Sequence, residues 1–136
     1  MVTWVPVSQK RRRKRGYDQA ELLARSICRC WGTDPVRLLK KVLDNPAQSG
    51  LSDKSARRAN VLGVYDAVNQ DKLKGRRILL VDDICTTGAT LEECARVLRD
   101  AGAEEVAAVT VARPRKKVEK KPSCGGNTQE NGTKYR

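Results

Sequence analysis

Aromatic side chains make up only 4% of this 136-residue chain, and none is interleaved with the basic run Lys10 to Arg15 as a stacking platform for unpaired bases requires. The five cysteines, Cys28, Cys30, Cys85, Cys94 and Cys124, form no CxxC pair and no regular framework, so reduced thiols in a cytoplasmic protein are expected rather than disulfides. Cys28 and Cys30, two apart, point to different sides of a helix and make a poor metal pair. No apolar run approaches membrane-spanning length, and the early basic block leads into a polar helix rather than the apolar core of a signal peptide. The lysine of a Walker A loop is missing, and so is the spacing of a dinucleotide fingerprint. These absences disfavour membrane proteins, NTPases and Rossmann dehydrogenases.

What the chain does have is ILLVDDICTTGAT, Ile78 to Thr90. Ile78 to Val81 form a continuous apolar run of the kind a parallel strand buried on both faces requires. Asp82 and Asp83 follow at its carboxyl end, where open α/β sheets place their ligand crevice. A loop of small and hydroxylated residues comes next, and then Leu91, Cys94, Ala95, Leu98 and Ala101 at helical spacing. Thr90 and Glu93 suit a capping box. Loop N–H groups, the positive end of a helix dipole and threonine hydroxyls together suit a monophosphate. Two carboxylates facing that phosphate would repel it, so they are expected to accept hydrogen bonds from hydroxyl groups of the same ligand. A ribose 5-phosphate has that layout.

VDDICTTGAT resembles the phosphoribosyl pyrophosphate (PRPP) motif of type I phosphoribosyltransferases. VPVS, RKRGYDQAELLAR and PAQSGLSDKSARRANVLGVYDA extend the resemblance to the ComF (GntX-like) branch, over about Val5 to Arg113. It implies a mostly parallel α/β sheet flanked by helices, with a flexible loop over the site, in a domain spanning residues 1–113. Strands alternating with helices independently imply right-handed crossovers in such a sheet. The implied reaction transfers ribose 5-phosphate from PRPP to an unidentified nitrogen nucleophile with release of diphosphate. Asp82 and Asp83 would then hold the ribose diol and serve catalysis, while Thr86, Thr87, Gly88, Ala89 and Thr90 would bind the 5-phosphate. Mg²⁺ would organise diphosphate and ribose oxygens. Purine-base enzymes carry an acidic residue where Thr86 stands, which disfavours a 6-oxopurine acceptor. ComF-like proteins usually have a cysteine-rich zinc module and a further segment ahead of the first strand, whereas here the first strand candidate begins almost at once.

The formal charge of +12 is uneven, because residues 76 to 112 hold four basic and seven acidic side chains. The excess lies in Lys10 to Arg15 and in Arg113 to Lys121. The resemblance puts Arg13, Arg15 and Gly16 where a loop holds diphosphate, and guanidinium forks suit that ligand. The same block also reads as a solvated, partly disordered stretch, or as a nucleic-acid contact that weakens with salt.

Along the rest of the chain, Trp4 to Val7 reads as a first strand. Asp18 to Trp31 reads as a helix with Leu22, Leu23, Ile27, Cys30 and Trp31 on its apolar face. Val36 to Leu43 and Gly63 to Val68 are short strand candidates, with Gln70 to Arg77 a polar connector and Val106 to Ala112 a further parallel strand. Residues 45 to 60 read as a mobile loop with a short helix; Gln48, Leu51, Arg58 and Asn60 match the pattern of the resembled family's site-covering loop, from which Arg58 would reach diphosphate. Residues 114 to 136 read as a disordered tail. Three functions remain open: a phosphoribosyltransferase, a non-catalytic PRPP binder tied to competence, and a basic nucleic-acid binder. A homodimer is expected by analogy with such folds.

Overall fold

The structure is a computed structural model that describes residues 1–43 and 62–113. The expected loop with Gln48, Leu51, Arg58 and Asn60, and the expected tail with Cys124, lie outside the described residues.

Strand β4 (Arg77–Ile84) is the centre of a three-stranded parallel sheet, flanked by β1 (Val2–Trp4) and β5 (Glu105–Ala112). Side chains alternate across a strand, so β4 feeds two cores. Ile78 and Leu80 face a cluster with Val5, Leu38, Leu39, Tyr65, Cys94 and Leu98, whereas Leu79 and Val81 face Val2, Trp4, Ala20, Ala24 and Cys28. This is the continuous apolar strand that the sequence predicts, covered on both sides.

Helix α2 (Gln19–Cys30) covers β1 and β4 on one face, and α3 (Ala89–Asp100) covers the other. The boundaries of α2 match expectation, but its buried face differs. Ala20, Ala24 and Cys28 are buried, Leu23 and Ile27 flank them, and Leu22, Cys30 and Trp31 are exposed. Small side chains at i, i+4 and i+8 let the helix lie close to the sheet, which pushes the bulkier ones to its margins.

The two short strand candidates form a separate antiparallel pair, β2 (Leu39–Lys41) with β3 (Tyr65–Ala67). The pair packs beside α3, and a single 3₁₀ turn at Gln70–Lys72 leads from it back to β4. No helix among the described residues is long and apolar enough to cross a membrane. Cys28, Cys30, Cys85 and Cys94 are all free thiols.

Candidate phosphoribosyl site

The parallel pairing of β1 and β4 brings their carboxyl ends to one edge of the sheet, where α/β sheets place their ligands. Asp82 continues the Ile78–Leu80 row on β4 and is buried beside Tyr65 and Cys94. Its Oδ1 accepts a hydrogen bond from the Asp83 N–H (2.9 Å), and Asp83 Oδ1 accepts one from the Ile84 N–H (2.8 Å). Burial chiefly, then hydrogen bonding to the Asp83 carboxyl and the nearby charges of Asp83 and Asp18, pushes the Asp82 carboxyl up to about 7. Drawn out of water beside a second carboxyl group, Asp82 therefore holds its proton up to near neutral pH. Burial also raises the Tyr65 hydroxyl and the Cys94 thiol, keeping both neutral.

After β4 the chain turns through Cys85 to Gly88 into α3. Gly88 caps the helix at φ +83°, a left-handed conformation that strains any other residue. The expected Thr90–Glu93 capping box is absent. Thr90 lies inside the first turn, and Glu93 instead accepts from the Gly63 N–H (3.0 Å) and from the Arg96 guanidinium (2.8 and 2.9 Å). The first intrahelical bond runs from the Glu92 N–H to the Gly88 carbonyl (2.8 Å), and Thr87 Oγ1 accepts from the Ala89 N–H (3.3 Å). Among the described residues the Thr90 and Leu91 N–H groups then have no acceptor, at the positive end of the helix dipole. Thr86 is exposed, Thr87 and Thr90 are half-buried, and Ala89 is buried. The Thr90 and Leu91 N–H groups are thus left open at the helix start, where an anion would sit.

The basic block follows β1, which runs parallel to β4 with Trp4 beside Val81, so it leaves the sheet at the same edge as Asp82. It is neither a loop nor a disordered stretch but a helix, α1 (Gln9–Arg15), started by Ser8, whose Oγ accepts from the Arg11 N–H (3.3 Å). Gly16 ends it at φ +80°, donating to the Arg12 carbonyl (2.8 Å). Asp18 fastens this segment to the sheet. Its Oδ2 accepts from the Val7 N–H (3.0 Å), and its Oδ1 accepts from Ala20 and Glu21 at the start of α2 (3.1 and 3.4 Å).

Between β1 and the two helices lies a cavity of about 340 Å³, lined by Trp4, Pro6, Val7, Gln9, Arg12, Arg13, Asp18 and Arg37. Arg13, singled out from the sequence, lines it. Arg15 does not, Gly16 serves as the helix cap, and Arg58 lies outside the described residues. Gln9, Arg12 and Arg37 were missed. Helical spacing would have found the first two, because residues 9, 12 and 13 share one face of a helix. Arg37 joins only through tertiary folding. Arg12 also pairs with Glu21 (3.2 Å).

A parallel sheet with an acidic pair and a threonine–glycine turn at its carboxyl edge defines a class, and comparison of the sequence gives it a name. The chain belongs to the phosphoribosyl transferase domain family, whose model matches residues 13–131. Its relatives narrow this to the ComF-like branch. It is 39% identical over 112 residues to competence protein F of Haemophilus influenzae, covering 80% of this chain and 48% of that protein. It is 36% identical over 110 residues to competence protein ComFC of Bacillus subtilis, covering 80% and 42%. DNA utilization protein YhgH of Escherichia coli is 31% identical over 106 residues, covering 75% and 44%. The chain thus spans less than half the length of these relatives.

Proposed function

We propose that this chain binds PRPP in the crevice between α1 and the β4–α3 turn and transfers its ribose 5-phosphate to a nitrogen nucleophile. The observation that carries this reading is the juxtaposition of the Asp82–Asp83 pair with a helix start whose Thr90 and Leu91 N–H groups lack acceptors among the described residues. In this reading the 5-phosphate oxygens accept from those N–H groups and from the hydroxyls of Thr86, Thr87 and Thr90. Asp83 and Asp82 accept from the ribose diol. The cavity beside Arg12, Arg13 and Arg37 receives the diphosphate.

In the transfer, the bond from C1 of the ribose to the diphosphate oxygen breaks with its electron pair leaving on diphosphate, and a bond from C1 to nitrogen forms as the nucleophile gives up a proton. The sugar passes through a cationic, oxocarbenium-like state. Negative charge on Asp82 and Asp83 favours that state, and guanidinium groups favour the departing diphosphate. An Asp82 carboxyl held near 7 exchanges protons readily at neutral pH, which suits it to accept the proton the nucleophile releases.

Among the described residues no group of three or more His, Cys, Asp or Glu side chains could hold a metal ion. The Asp82 and Asp83 carboxylates offer the hard oxygen donors that Mg²⁺ favours, and they would hold the ion beside the bound substrate. When bound, the ion would neutralise diphosphate charge.

Calorimetry with PRPP and Mg²⁺ tests the binding step. Saturable heat is expected from the native chain, with at least a tenfold loss of affinity in the Asp82→Asn/Asp83→Asn double variant; equal affinity in the two would remove this site. Diphosphate release with a panel of nucleobases and amines then tests transfer, and no acceleration over PRPP hydrolysis by any acceptor would leave a binder rather than an enzyme.

A second reading rests on α1, which presents six consecutive exposed basic residues, and on relatives named for competence and DNA utilization. On it the protein is a non-catalytic, competence-associated PRPP binder that contacts nucleic acid through α1. Single-stranded and duplex DNA affinity falling steeply between 50 and 200 mM salt, roughly a hundredfold or more for several phosphate contacts, and lost on replacing Arg11, Arg13 and Lys14, is the outcome that favours it.

A further inference from the structure

The outer edge of β5 is unpaired among the described residues, although the strand reads EVAAVTVA and contains one charge. Long apolar edges of this kind recruit another strand. The register with β4 sets Ala107 beside Leu79 and Val109 beside Val81, so the odd-numbered side chains of β5 share the face on which α2 lies. Helix α2 covers β1 and β4, and it leaves Val109 39% and Val111 71% exposed.

We propose that β5 pairs with β5 of a second copy of this chain, the two strands antiparallel about a two-fold axis at Val109. Two independent features select that register. The Glu104 N–H donates to the Arg76 carbonyl and the Ala112 carbonyl accepts from the Cys85 N–H, so even-numbered residues spend their backbone groups on β4. Odd-numbered residues therefore aim theirs at the free edge. A two-fold axis at Val109 opposes odd to odd: Val109 to its own copy, Ala107 to the partner's Val111 and Glu105 to the partner's Arg113. Each of these odd-numbered pairs is then a hydrogen-bonded pair, and the even-numbered pairs between them are not. The same register sets the strand's only acid against the base that follows its end, twice by symmetry, with Cβ atoms about 5 Å apart. A shift by two residues keeps the hydrogen bonds but breaks both charge matches.

The result is a continuous six-stranded sheet with both α2 helices on one face and the Ala107, Val109 and Val111 rows merged between them. An interface of this extent is at the low end of stable ones, and dissociation at roughly micromolar concentration is expected.

Sedimentation velocity of the full chain from 1 to 200 μM, with circular dichroism to verify folding, tests this. A dimer is expected. Glu105→Arg and Arg113→Glu should each raise its dissociation constant about tenfold, since each replaces two attractions by two repulsions. The double swap should restore it, and Val109→Glu, which sets like charges on the axis, should leave a folded monomer. A monomer throughout the range, a dimer indifferent to Val109→Glu, or a double swap no tighter than either single variant overturns the proposal. The charge variants lie on exposed positions, so a loss of folding in Val109→Glu would not remove the test.

Discussion

Asp82 carries the cost of a carboxyl buried at the edge of the sheet. Its carboxyl is raised from the usual 3.8 to about 7, mostly by burial. A carboxyl whose folded value lies above its unfolded one contributes stability that is complete below about pH 4 and is lost as pH rises through about 7. Asp82→Asn removes that titration. Urea denaturation should therefore find the variant gaining on the native chain between pH 5 and pH 8, by on the order of 1–2 kcal/mol, since partial contact with solvent moderates the shift. A gap that does not change with pH would show that Asp82 is ionised throughout. Gly88 makes the opposite case. A Cβ there meets nothing closer than Cys85 Sγ and Glu92 Oε1 at 4.0 Å, so the penalty of Gly88→Ala is conformational. About 1 kcal/mol of stability should be lost, and PRPP affinity should fall further than stability because the turn that presents the Thr90 N–H relaxes. Both residues were legible in the sequence, since a paired carboxylate and a glycine beside threonines declare their chemistry locally. The raised carboxyl of Asp82 was not, because its burial depends on Tyr65, Cys94 and Asp18 arriving from other elements.

Among the elements, α1 and its attachment matter most. Six adjacent cations would repel one another in a helix, yet Ser8 and Gly16 cap both ends and Arg12 finds Glu21 on α2. Asp18 is the joint. Its carboxylate accepts three backbone N–H groups, from Val7, Ala20 and Glu21, and is itself buried. Asp18→Ala should cost about 2 kcal/mol or more, because it uncaps α2 and leaves the Val7 N–H without its acceptor. The chain leaving β1 should then move α1, so weaker diphosphate binding measured by calorimetry is expected alongside the lower denaturation midpoint. Unchanged diphosphate affinity in a folded Asp18→Ala protein would mean that α1 is not part of the site. Capping residues made the ends of α2 readable from the sequence. The helical state of Lys10 to Arg15 was not readable, because a run of like charges looks like a solvated coil until its partner across the fold is known.

For the molecule as a unit, the proposed ligand should act as a brace. PRPP with Mg²⁺ at a hundred times its dissociation constant should raise the unfolding free energy by about 2.7 kcal/mol, a rise in Tm of roughly 8 °C for a domain of this size. Tryptophan fluorescence on heating reads it, and the shift should vanish in the Asp82→Asn/Asp83→Asn variant. The amino-acid sequence alone determined the central strand, both long helices, the parallel character of the sheet and the phosphoribosyl motif, because each follows from periodicity, caps or contiguous chemistry within a few residues. The fold decided which side of α2 is buried, that Glu93 holds Gly63 rather than capping its own helix, that Arg37 meets Arg12 and Arg13 in one cavity, and that β5 ends the described sheet with its apolar edge uncovered. Those outcomes depend on how closely elements far apart in the chain can approach and on what each then removes from water, and no local pattern carries that information.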